Sequence, residues 1–437
     1  MGIAASVGLD PDAADARVAE VTHGPLTGDV RQFGTPTTAT VWARASCQYY
    51  PGAVAVKCAA LDSSKTPSKR FMDMVAAHDC TGRLRLVGLV PGTRYALNVG
   101  RRAASFSTPP EAHVAQRLFY INGDAIYADC AIPTVGNMPW NAGIEYETPA
   151  GEDMPPAKEG FRARYKYHLE DPAYAAFLSH TPVFNVWDDH EVVDDWGTEK
   201  LVLAGQEQLL KDGVQAFFEY WPVRGPLEEP NRPYRNVRWG KAVELFILDC
   251  RSYRSVHDAT LAVDDGTATS QTPQLQTILG AAQLKWLKHA LTASDATWRI
   301  ICSHGVRARA RALHILKHVR YGAMLNVVFI SGDVHFPFAL PDDPSRQGSP
   351  LMHEVGCTPF VSLCLPPAAP DQTLNPTILF SSGAFGADNH NFGNLVVDKE
   401  GDLTVNIHTA DGAVVYTLQL PNPARPQAER NGADAPP

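Results

Sequence analysis

The sequence predicts an α/β protein with two parts, an N-terminal β-sandwich followed by a larger α/β domain. Two observations lead to this prediction. Residues 21–108 have the pattern of short strands separated by turns, whereas from about Gln116 onward apolar strands alternate with amphipathic helices. A chain of 437 residues, of which 45% are hydrophobic, is also long enough to bury two cores.

Four segments are expected along the chain. Residues 1–18 are rich in alanine and aspartate and form a flexible leader, and residues 19–108 form the sandwich. Two consecutive prolines then act as a short stiff linker. The larger domain extends over residues 111–420, and residues 421–437 have the composition of a disordered tail.

Two segments justify the sandwich. Residues 38–45 alternate polar and apolar side chains, as a half-buried strand does. The turn Pro91-Gly92 leads into a second predicted strand, which contains Tyr95. This order of turn, strand and tyrosine resembles the corresponding strand of fibronectin type III and immunoglobulin-like sandwiches.

Periodicity and apolar runs define the elements of the larger domain. Apolar residues at helical spacing predict a helix over residues 201–221, which Gly213 weakens, and a clearer helix over residues 279–291. Six further segments are predicted as strands, three of them buried and the last three in an antiparallel hairpin set: residues 246–249, 298–303, 327–331, 394–397, 403–408 and 413–418.

Charge and targeting patterns narrow the function classes. A net charge of −9, without a long Lys/Arg run, argues against nucleic acid as a partner. The sequence shows neither a signal peptide nor a transmembrane span, which favours a cytoplasmic location without fixing the compartment. Gly2 and Ser6 fit a short N-myristoylation pattern that often occurs by chance.

The eight cysteines contain no CxxC pair and lie mostly in apolar surroundings. We expect them to be small buried hydrophobic residues, with disulfide formation or metal ligation as the alternatives. Such cysteines favour a reducing compartment, though only weakly.

Three apolar strands are each followed directly by ionisable residues. The first leads into Asp124, the second into residues 188–191 (DDHE), and the third into Asp333 and His335. Such strand ends bring carboxylates and imidazoles together, where hard metal ions find oxygen ligands. We therefore predict a metal centre at the carboxyl edge of a sheet. The alternatives are Asp124 capping its own turn, a solvated loop at residues 188–191 and a structural turn at Asp333.

The residue types suggest roles within this centre. One aspartate of residues 188–191 would be a metal ligand. His190 would be a general acid or a charge-stabilising donor, because the pKa of histidine lies near neutrality. Residues i and i+2 of an extended segment face the same way, so Asp333 and His335 are expected to converge.

A fourth strand end carries arginines. Asp249 is followed by Arg251 and Arg254, whose planar guanidinium groups match phosphate oxygens in a bidentate manner. The alternative is an internal ion pair between Asp249 and an arginine that fixes the loop. His304 follows the next strand and is expected to be structural rather than a ligand.

Together these segments resemble the alkaline phosphatase D (PhoD-like) family of metallophosphoesterases. The resemblance covers most of the chain and is carried, in order, by HGPLTGD, TATVWAR, GDAIYAD, WDDHEV, EYWPVRG, FILDCRSYRS, LGAAQLKWLKHAL, SGDVHF and NFGNLVVD. It implies a β-sandwich followed by a four-layer α/β/β/α domain. It also implies a hydrolase that acts on small-molecule phosphate mono- or diesters with two or more metal ions, of iron and calcium type, with manganese or zinc as alternatives.

By resemblance, seven residues would form the active site. Their positions in the motifs imply that Asp124 bridges metals and that Asp189, Asp333 and His335 are metal ligands. They also imply that His190 assists at the phosphate, and that Arg251 and Arg254 lie near it.

The chain departs from the family pattern in three places. Members usually carry a strand with an SCQ-type segment, whose cysteine ligates a metal, before the GD motif. Here only about ten residues separate Pro110 from Tyr120, and an SCQ string lies instead at residues 46–48, inside the predicted sandwich. An Arg/Ala-rich segment between His304 and Val327 replaces a longer acidic and aromatic loop, and the twin-arginine export signal is missing.

These departures keep a second function class open, a non-catalytic binding or scaffold protein with an incomplete metal site. A third class is a glycosidase without metal that uses Asp188 and Glu191 as its carboxylate pair. The predominance of Asp and His over Glu in the motifs disfavours this third class.

Overall fold

The computed structural model describes residues 20–32, 37–46, 52–62, 67–110, 119–129, 158–226, 228–255, 277–304, 326–342, 352–360, 362–370, 376–386 and 389–424. Several sequence predictions concern residues outside these ranges: the leader with its Gly2 pattern, Cys47 of the SCQ string, Cys130, and most of the C-terminal tail. The Arg/Ala-rich segment after His304 also lies outside them, except for its last residue.

The described residues contain nineteen strands and five α-helices. The strands are β1 (Val21–Gln32), β2 (Thr37–Ala45), β3 (Ala53–Ala60), β4 (Ser68–Asp73), β5 (Thr81–Leu89), β6 (Arg94–Val99), β7 (Arg102–Ser107), β8 (Phe119–Asn122), β9 (Val183–Val186), β10 (Arg235–Trp239), β11 (Val243–Ile247), β12 (Trp298–Ser303), β13 (Val327–Ser331), β14 (Phe338–Asp342), β15 (Met352–Gly356), β16 (Phe380–Ser381), β17 (Asn391–Val397), β18 (Leu403–Thr409) and β19 (Val414–Leu420). The helices are α1 (Lys158–Leu169), α2 (Pro172–His180), α3 (Thr198–Leu203), α4 (Glu207–Tyr220) and α5 (Gly280–Ala293). None of these helices is long and apolar enough to cross a membrane.

Strands β1 to β7 form the N-terminal part and lie in two sheets. β5, β2 and β1 are antiparallel neighbours in one sheet, and β4, β3, β6 and β7 follow one another in the other. Trp42, Val54 and Phe106 come from both sheets and are buried in one apolar cluster. The strands predicted at residues 38–45 and around Tyr95 are confirmed.

The N-terminal part is joined to the larger part through β1. Gly28 of β1 pairs with Val183 of the parallel strand β9, so β9 and β8 extend the sheet of β5, β2 and β1. An added Cβ at Gly28 would lie 2.5 Å from Pro222 Cγ and 2.7 Å from Val183 O, too close for any side chain. A buried ion pair between Asp29 and Arg235 spans the same junction, with an Oδ1–Nε distance of 3.0 Å.

A second sheet has seven strands in the order β10-β11-β12-β13-β15-β14-β16. Its strands β11, β12, β13 and β15 are parallel, and Ser303 at the end of β12 pairs with Ser331 at the end of β13. Helix α5 connects β11 to β12, as the predicted alternation requires. The separate antiparallel sheet β17-β18-β19 confirms the predicted hairpin set.

Apolar side chains fill the space between these elements. Phe184 of β9 meets Trp239 of β10 with ring centroids 5.9 Å apart, so the two sheets are in contact. On the other face of the seven-stranded sheet, Phe329 of β13 and Leu287 of α5 belong to a separate buried cluster. Trp187, directly after β9, packs against aromatic side chains of α4. The described residues therefore have a mixed α/β, sheet-rich fold.

One predicted helix is split in two. Residues 201–221 fall in α3 and α4, which are separated at Gly205, whose φ of +70° ends the first helix. Gly213 lies within α4, where an added Cβ would lie 2.9 Å from Val192 Cγ2. The absence of a side chain at Gly213 therefore lets Val192 pack closely against the helix. The helix predicted over residues 279–291 is confirmed as α5.

Of the six described cysteines, most follow the prediction, Cys357 is free but only partly buried, and Cys80 differs. Four described cysteines are free and buried, as expected of small hydrophobic residues: Cys58, Cys250, Cys302 and Cys364. Cys80 is instead disulfide-bonded, which is one of the two alternatives stated for the cysteines.

Candidate metal centre

The loops that follow β8 and β9 lie side by side. The two strands are parallel neighbours, with Asn122 paired to Val186, so both end at the same edge of the sheet. Gly123 follows β8 with a φ of +80°, and an added Cβ there would lie 2.3 Å from Asp188 Cβ. Glycine is required because no side chain fits in that distance. This close approach brings Asp124 against the loop after β9.

We expect Gly123→Ala to push these loops apart. Alanine is strained at this φ, and its methyl group would also lie 2.8 Å from the backbone nitrogen of Asp188. The expected results are a loss of about 1–3 kcal/mol in the free energy of unfolding, measured in urea, and weaker binding of metal at the predicted centre, measured by calorimetry with calcium as the probe. Gly412→Ala is the matched control, because Gly412 has a φ of +90° but no atom of the described part of the chain within 4 Å of an added Cβ. Equal stability losses in both variants, with unchanged calcium binding, would contradict this role of Gly123.

The buried Glu191 carboxylate holds the two loops together. Its Oε2 accepts from the backbone N–H groups of Asp188 at 2.7 Å and Asp124 at 3.1 Å, and its Oε1 accepts from Ala125 at 2.7 Å. Burial raises the pKa of Glu191 to about 7, although these hydrogen bonds oppose the rise. Glu191 is therefore a structural clamp, a role that its place in the acidic run does not reveal.

Two groups of candidate ligand atoms lie at this edge. Atoms of Asp124, Asp189 and His190 are within 4.8 Å of one another, and so are atoms of Asp188, Asp189 and Asp333. Asp189 belongs to both groups. Asp188 Oδ2 and Asp189 Oδ1 are buried and have no hydrogen-bond partner among the described residues, which costs free energy unless another group satisfies them. Oxygen-rich groups with one imidazole suit calcium and iron, so these residues fit the predicted metal centre.

The charges of this cluster are crowded. Burial and neighbouring carboxylates raise the pKa of Asp124 and raise that of Asp333 to about 7. Burial also disfavours the charged form of Asp188, but the positive charges of His304 and Arg251 hold its pKa below the ordinary value. A bound cation would relieve the repulsion among these carboxylates, since its charge favours their ionised form.

His190 is held by Asp129, the last residue of the GDAIYAD motif, to which the sequence assigned no role. Its Nδ1 lies 2.8 Å from Asp129 Oδ1, and the other Asp129 oxygen accepts from the backbone N–H of Asp194 at 2.8 Å. The imidazole also stacks on Tyr127 with ring centroids 4.0 Å apart. Burial lowers the pKa of His190, but Asp129 outweighs this and the pKa is raised. The spacing of Asp129, five residues after Asp124, was the available sequence signal.

The segment after β13 is not extended, so the predicted reason for convergence of Asp333 and His335 is wrong. β13 ends at Ser331, and both residues have left-handed backbones, with φ values of +70° and +61°. Asp333 joins the acidic cluster, whereas His335 lies outside the two ligand groups. His335 Nε2 is 3.1 Å from the Tyr127 hydroxyl, and its Nδ1 is 2.6 Å from the carbonyl oxygen of Leu363. A backbone carbonyl at Nδ1 holds the ring proton there and makes Nε2 the acceptor, the usual arrangement of a metal-binding histidine, but here the Tyr127 hydroxyl is the partner of Nε2.

Tyr127 is the second residue without a sequence-based role. Its hydroxyl accepts from Ser362 Oγ at 2.7 Å and faces His335 Nε2, while its ring supports His190. Burial and the charge of Asp124 raise its pKa. Tyr127 thus links the two histidines of the site.

Arg251 lies inside the acidic cluster. Its Nε donates to Asp188 Oδ1, while Nη2 is 3.2 Å from Asp189 Oδ2 and 4.0 Å from Asp333 Oδ1. Its Nη1 is 3.2 Å from Asp195 Oδ1, and 6% of the side chain is exposed. The arginine therefore neutralises part of the carboxylate charge at the centre.

The loop that carries Arg251 is fixed by a buried aspartate. β11 ends at Ile247, two residues before the predicted strand end. Asp249 Oδ1 accepts from the backbone N–H groups of Arg251 and Ser252 and from Trp187 Nε1, each at 3.0 Å. Asp249 thus fixes the loop through the backbone rather than through the predicted alternative, an ion pair with an arginine side chain.

Two further predicted residues flank the cluster. Arg254 Nη2 donates to Asp195 Oδ1 at 2.8 Å, outside the two ligand groups. His304 is fully buried, with Nδ1 3.2 Å from Asp188 Oδ1, and this position agrees with the expected structural role.

Comparison with known proteins adds a family match. Residues 111–311 match the family model described as PhoD-like phosphatase, which confirms the resemblance predicted from the motifs. The chain is also similar to alkaline phosphatase D of Bacillus subtilis (strain 168), with 25% identity over 210 residues. That similarity covers 41% of this chain and 36% of the relative, so the match spans about a third of the relative's length.

Two solved structures share the fold. The structure of PhoD superposes with a TM-score of 0.64 at 17% identity, covering 92% of this chain and 93% of that chain. The purple acid phosphatase PPD1 from yellow lupin (Lupinus luteus) seeds superposes with a TM-score of 0.57 at 12% identity, covering 92% of this chain and 74% of that chain. At these identities the likeness concerns the fold alone, the mixed α/β, sheet-rich architecture described above.

Proposed function

Because residues 111–311 match the PhoD-like phosphatases, we propose that this protein is a metal-dependent hydrolase of small-molecule phosphate mono- or diesters. The observation that carries the proposal is the position of Asp189, a ligand candidate common to two adjacent groups at one sheet edge. A carboxylate shared in this way suits a pair of neighbouring cations, the arrangement used to clamp both oxygens of a displacement at phosphorus.

We propose Asp124, Asp189, Asp333 and His335 as ligands and add Asp188 to them. Two ions, iron and calcium, with manganese or zinc as alternatives, would neutralise phosphate charge and activate a bound water when present. The resemblance assigns metal bridging to Asp124, whereas membership of both groups favours Asp189 for that role.

His190 is proposed as the proton donor to the leaving-group oxygen. Asp129 holds Nδ1 and raises the pKa of the imidazole, which favours the protonated form, and Nε2 remains for the ester. Arg251 balances the charge of the cluster, and Arg254 offers a guanidinium group at its outer side.

The domain arrangement is part of the proposal. We propose a sandwich over residues 19–108 and a four-layer α/β/β/α domain over residues 111–420. The Tyr95 hydroxyl accepts from the backbone N–H of Val90 at 2.8 Å, as the conserved tyrosine of such sandwiches does. The contact of β9 with β10, with α5 and α4 on the outer faces, supports the four layers.

The geometry does not favour the glycosidase alternative. Glu191 already accepts three backbone hydrogen bonds, and Asp188 is fully buried and paired with Arg251. Neither carboxylate is placed to attack or protonate a sugar.

A turnover assay tests the proposed function. The purified chain, supplied in turn with iron, calcium, manganese and zinc, should hydrolyse p-nitrophenyl phosphate or bis(p-nitrophenyl) phosphate, and a chelator should abolish the activity. A protein that binds metal but hydrolyses neither ester would contradict the proposal and favour the non-catalytic binding or scaffold class.

A further inference from the structure

Three positively charged side chains converge on the carboxylate of Asp195. Arg254 Nη2 and Arg251 Nη1 lie 2.8 Å and 3.2 Å from its Oδ1, and Lys200 Nζ lies 3.8 Å from its Oδ2. The Asp195 side chain is 58% exposed, although it adjoins the buried cluster. Two arginines and a lysine around one exposed carboxylate are the surroundings that a phosphate group would take.

The backbone of Asp195 is fixed to the metal centre while its carboxylate remains accessible. Its N–H donates to Asp189 Oδ2 at 2.8 Å, and its carbonyl oxygen accepts from Lys200 Nζ at 2.9 Å. Its φ is +51°, in the left-handed region that aspartate and asparagine tolerate best among side chains. The backbone at Asp195 is therefore held independently of the ion pairs that its carboxylate makes.

The two arginines differ in what else holds them. Arg251 is anchored by Asp188 and Asp189 in addition to Asp195. The ion pair described for Arg254 is the one with Asp195. Arg254 is thus the group whose partner changes most easily when another anion arrives.

We infer that the Asp195 carboxylate occupies the position of a phosphate group and competes with it for Arg254 and Arg251. This inference rests on the proposed function and extends it, because the competitor weakens the binding of inorganic phosphate, the product of monoester hydrolysis. The pair with Arg254 is exposed, and exposed ion pairs are weak, so a phosphate group can displace the carboxylate there.

The test is phosphate binding by the full chain, measured by calorimetry for wild type and Asp195→Asn. Asparagine keeps the shape, the tolerated φ and the backbone N–H to Asp189, and removes the competing charge. We expect the Kd of inorganic phosphate to fall about two- to five-fold. Arg254→Gln should weaken binding, and adding Asp195→Asn to that variant should restore little of the loss. Asp212→Asn is the matched control for net charge, because Asp212 is a half-buried helix residue whose Oδ1 accepts from Gln208 Nε2.

Three results would overturn the inference: an unchanged or higher Kd in Asp195→Asn, an equal gain in the Arg254→Gln background, or loss of bound metal in Asp195→Asn, which would make Asp195 a ligand. The ester assay separates this inference from the proposed function. Tighter phosphate binding in Asp195→Asn without ester hydrolysis in any variant would contradict the proposed function and support the competition. Ester hydrolysis with unchanged phosphate binding in Asp195→Asn would support the proposed function and contradict the competition.

Discussion

Asp189→Asn is expected to lower kcat/KM for phosphate esters by about 10²- to 10³-fold or more. Asp189 belongs to both ligand groups, so its neutralisation weakens both cation positions at once. Asparagine keeps the side-chain shape, and Asp189 Oδ2 already accepts the Asp195 N–H, so the fold should be retained. The measurements are steady-state kinetics with a saturating metal and a circular-dichroism melt.

Asp295→Asn is the matched control for this variant. The Asp295 side chain is 94% exposed and pairs with Arg238, so this change removes the same charge without touching the cluster. Its kinetics should equal those of wild type. Wild-type turnover in a folded Asp189→Asn protein would show that Asp189 is not a ligand of the catalytic metals.

Asp333→Asn is expected to stabilise the metal-free protein at pH 8. The pKa of Asp333 is raised from 3.8 to about 7, so between these values the folded chain holds a proton that the unfolded chain has released. The native state therefore loses stability as pH rises through this window, and the full cost is present above pH 7. Because 40% of the side chain is exposed, solvent screens part of the repulsion, and we expect a gain of about 1 kcal/mol.

The sign of this effect should depend on pH and on metal. Urea unfolding in a chelator should show the gain at pH 8 and almost none at pH 4. With metal added at pH 8, the same variant should be less stable than wild type, because it has lost a ligand and with it part of the binding free energy. A metal-free Asp333→Asn protein that is less stable than wild type at pH 8 would show that Asp333 has a structural role instead.

The residues that the sequence placed in the centre are those at the ends of apolar strands. Asp124 and Asp189 come together because β8 and β9 are parallel neighbours, a relation that strand order and polarity make predictable. Asp333 follows β13 in the other sheet and reaches the same cluster. The local sequence pattern was sufficient to predict these residues, because each of them is placed at the centre simply by following the end of a strand.

Other parts of the site depend on contacts that no local pattern encodes. Glu191 sits in the same acidic run as Asp189 yet clamps backbone N–H groups of a distant loop. Asp129 acts on His190 across two loops. The prediction that Asp333 and His335 face the same way assumed an extended segment, and the left-handed backbone at His335 shows that the segment is not extended.

The fold likewise has elements that local sequence predicts and elements that depend on distant contacts. α5 was predictable from one leucine face, whereas α1 was not, because its buried positions include Arg162, which is neutralised by Glu219 of α4. The pairing of β1 with β9 depends on Gly28 and a strand far along the chain, so the shared sheet is visible only in three dimensions.

The metal content of the purified chain tests the central claim most directly. Plasma mass spectrometry should find about two tightly held ions per chain, with iron or calcium among them. Asp189→Asn should lose most of this metal, while Asp295→Asn should keep it. Near-zero metal in the wild type that iron, calcium, manganese and zinc all fail to restore would contradict the account and favour a non-catalytic binding or scaffold protein.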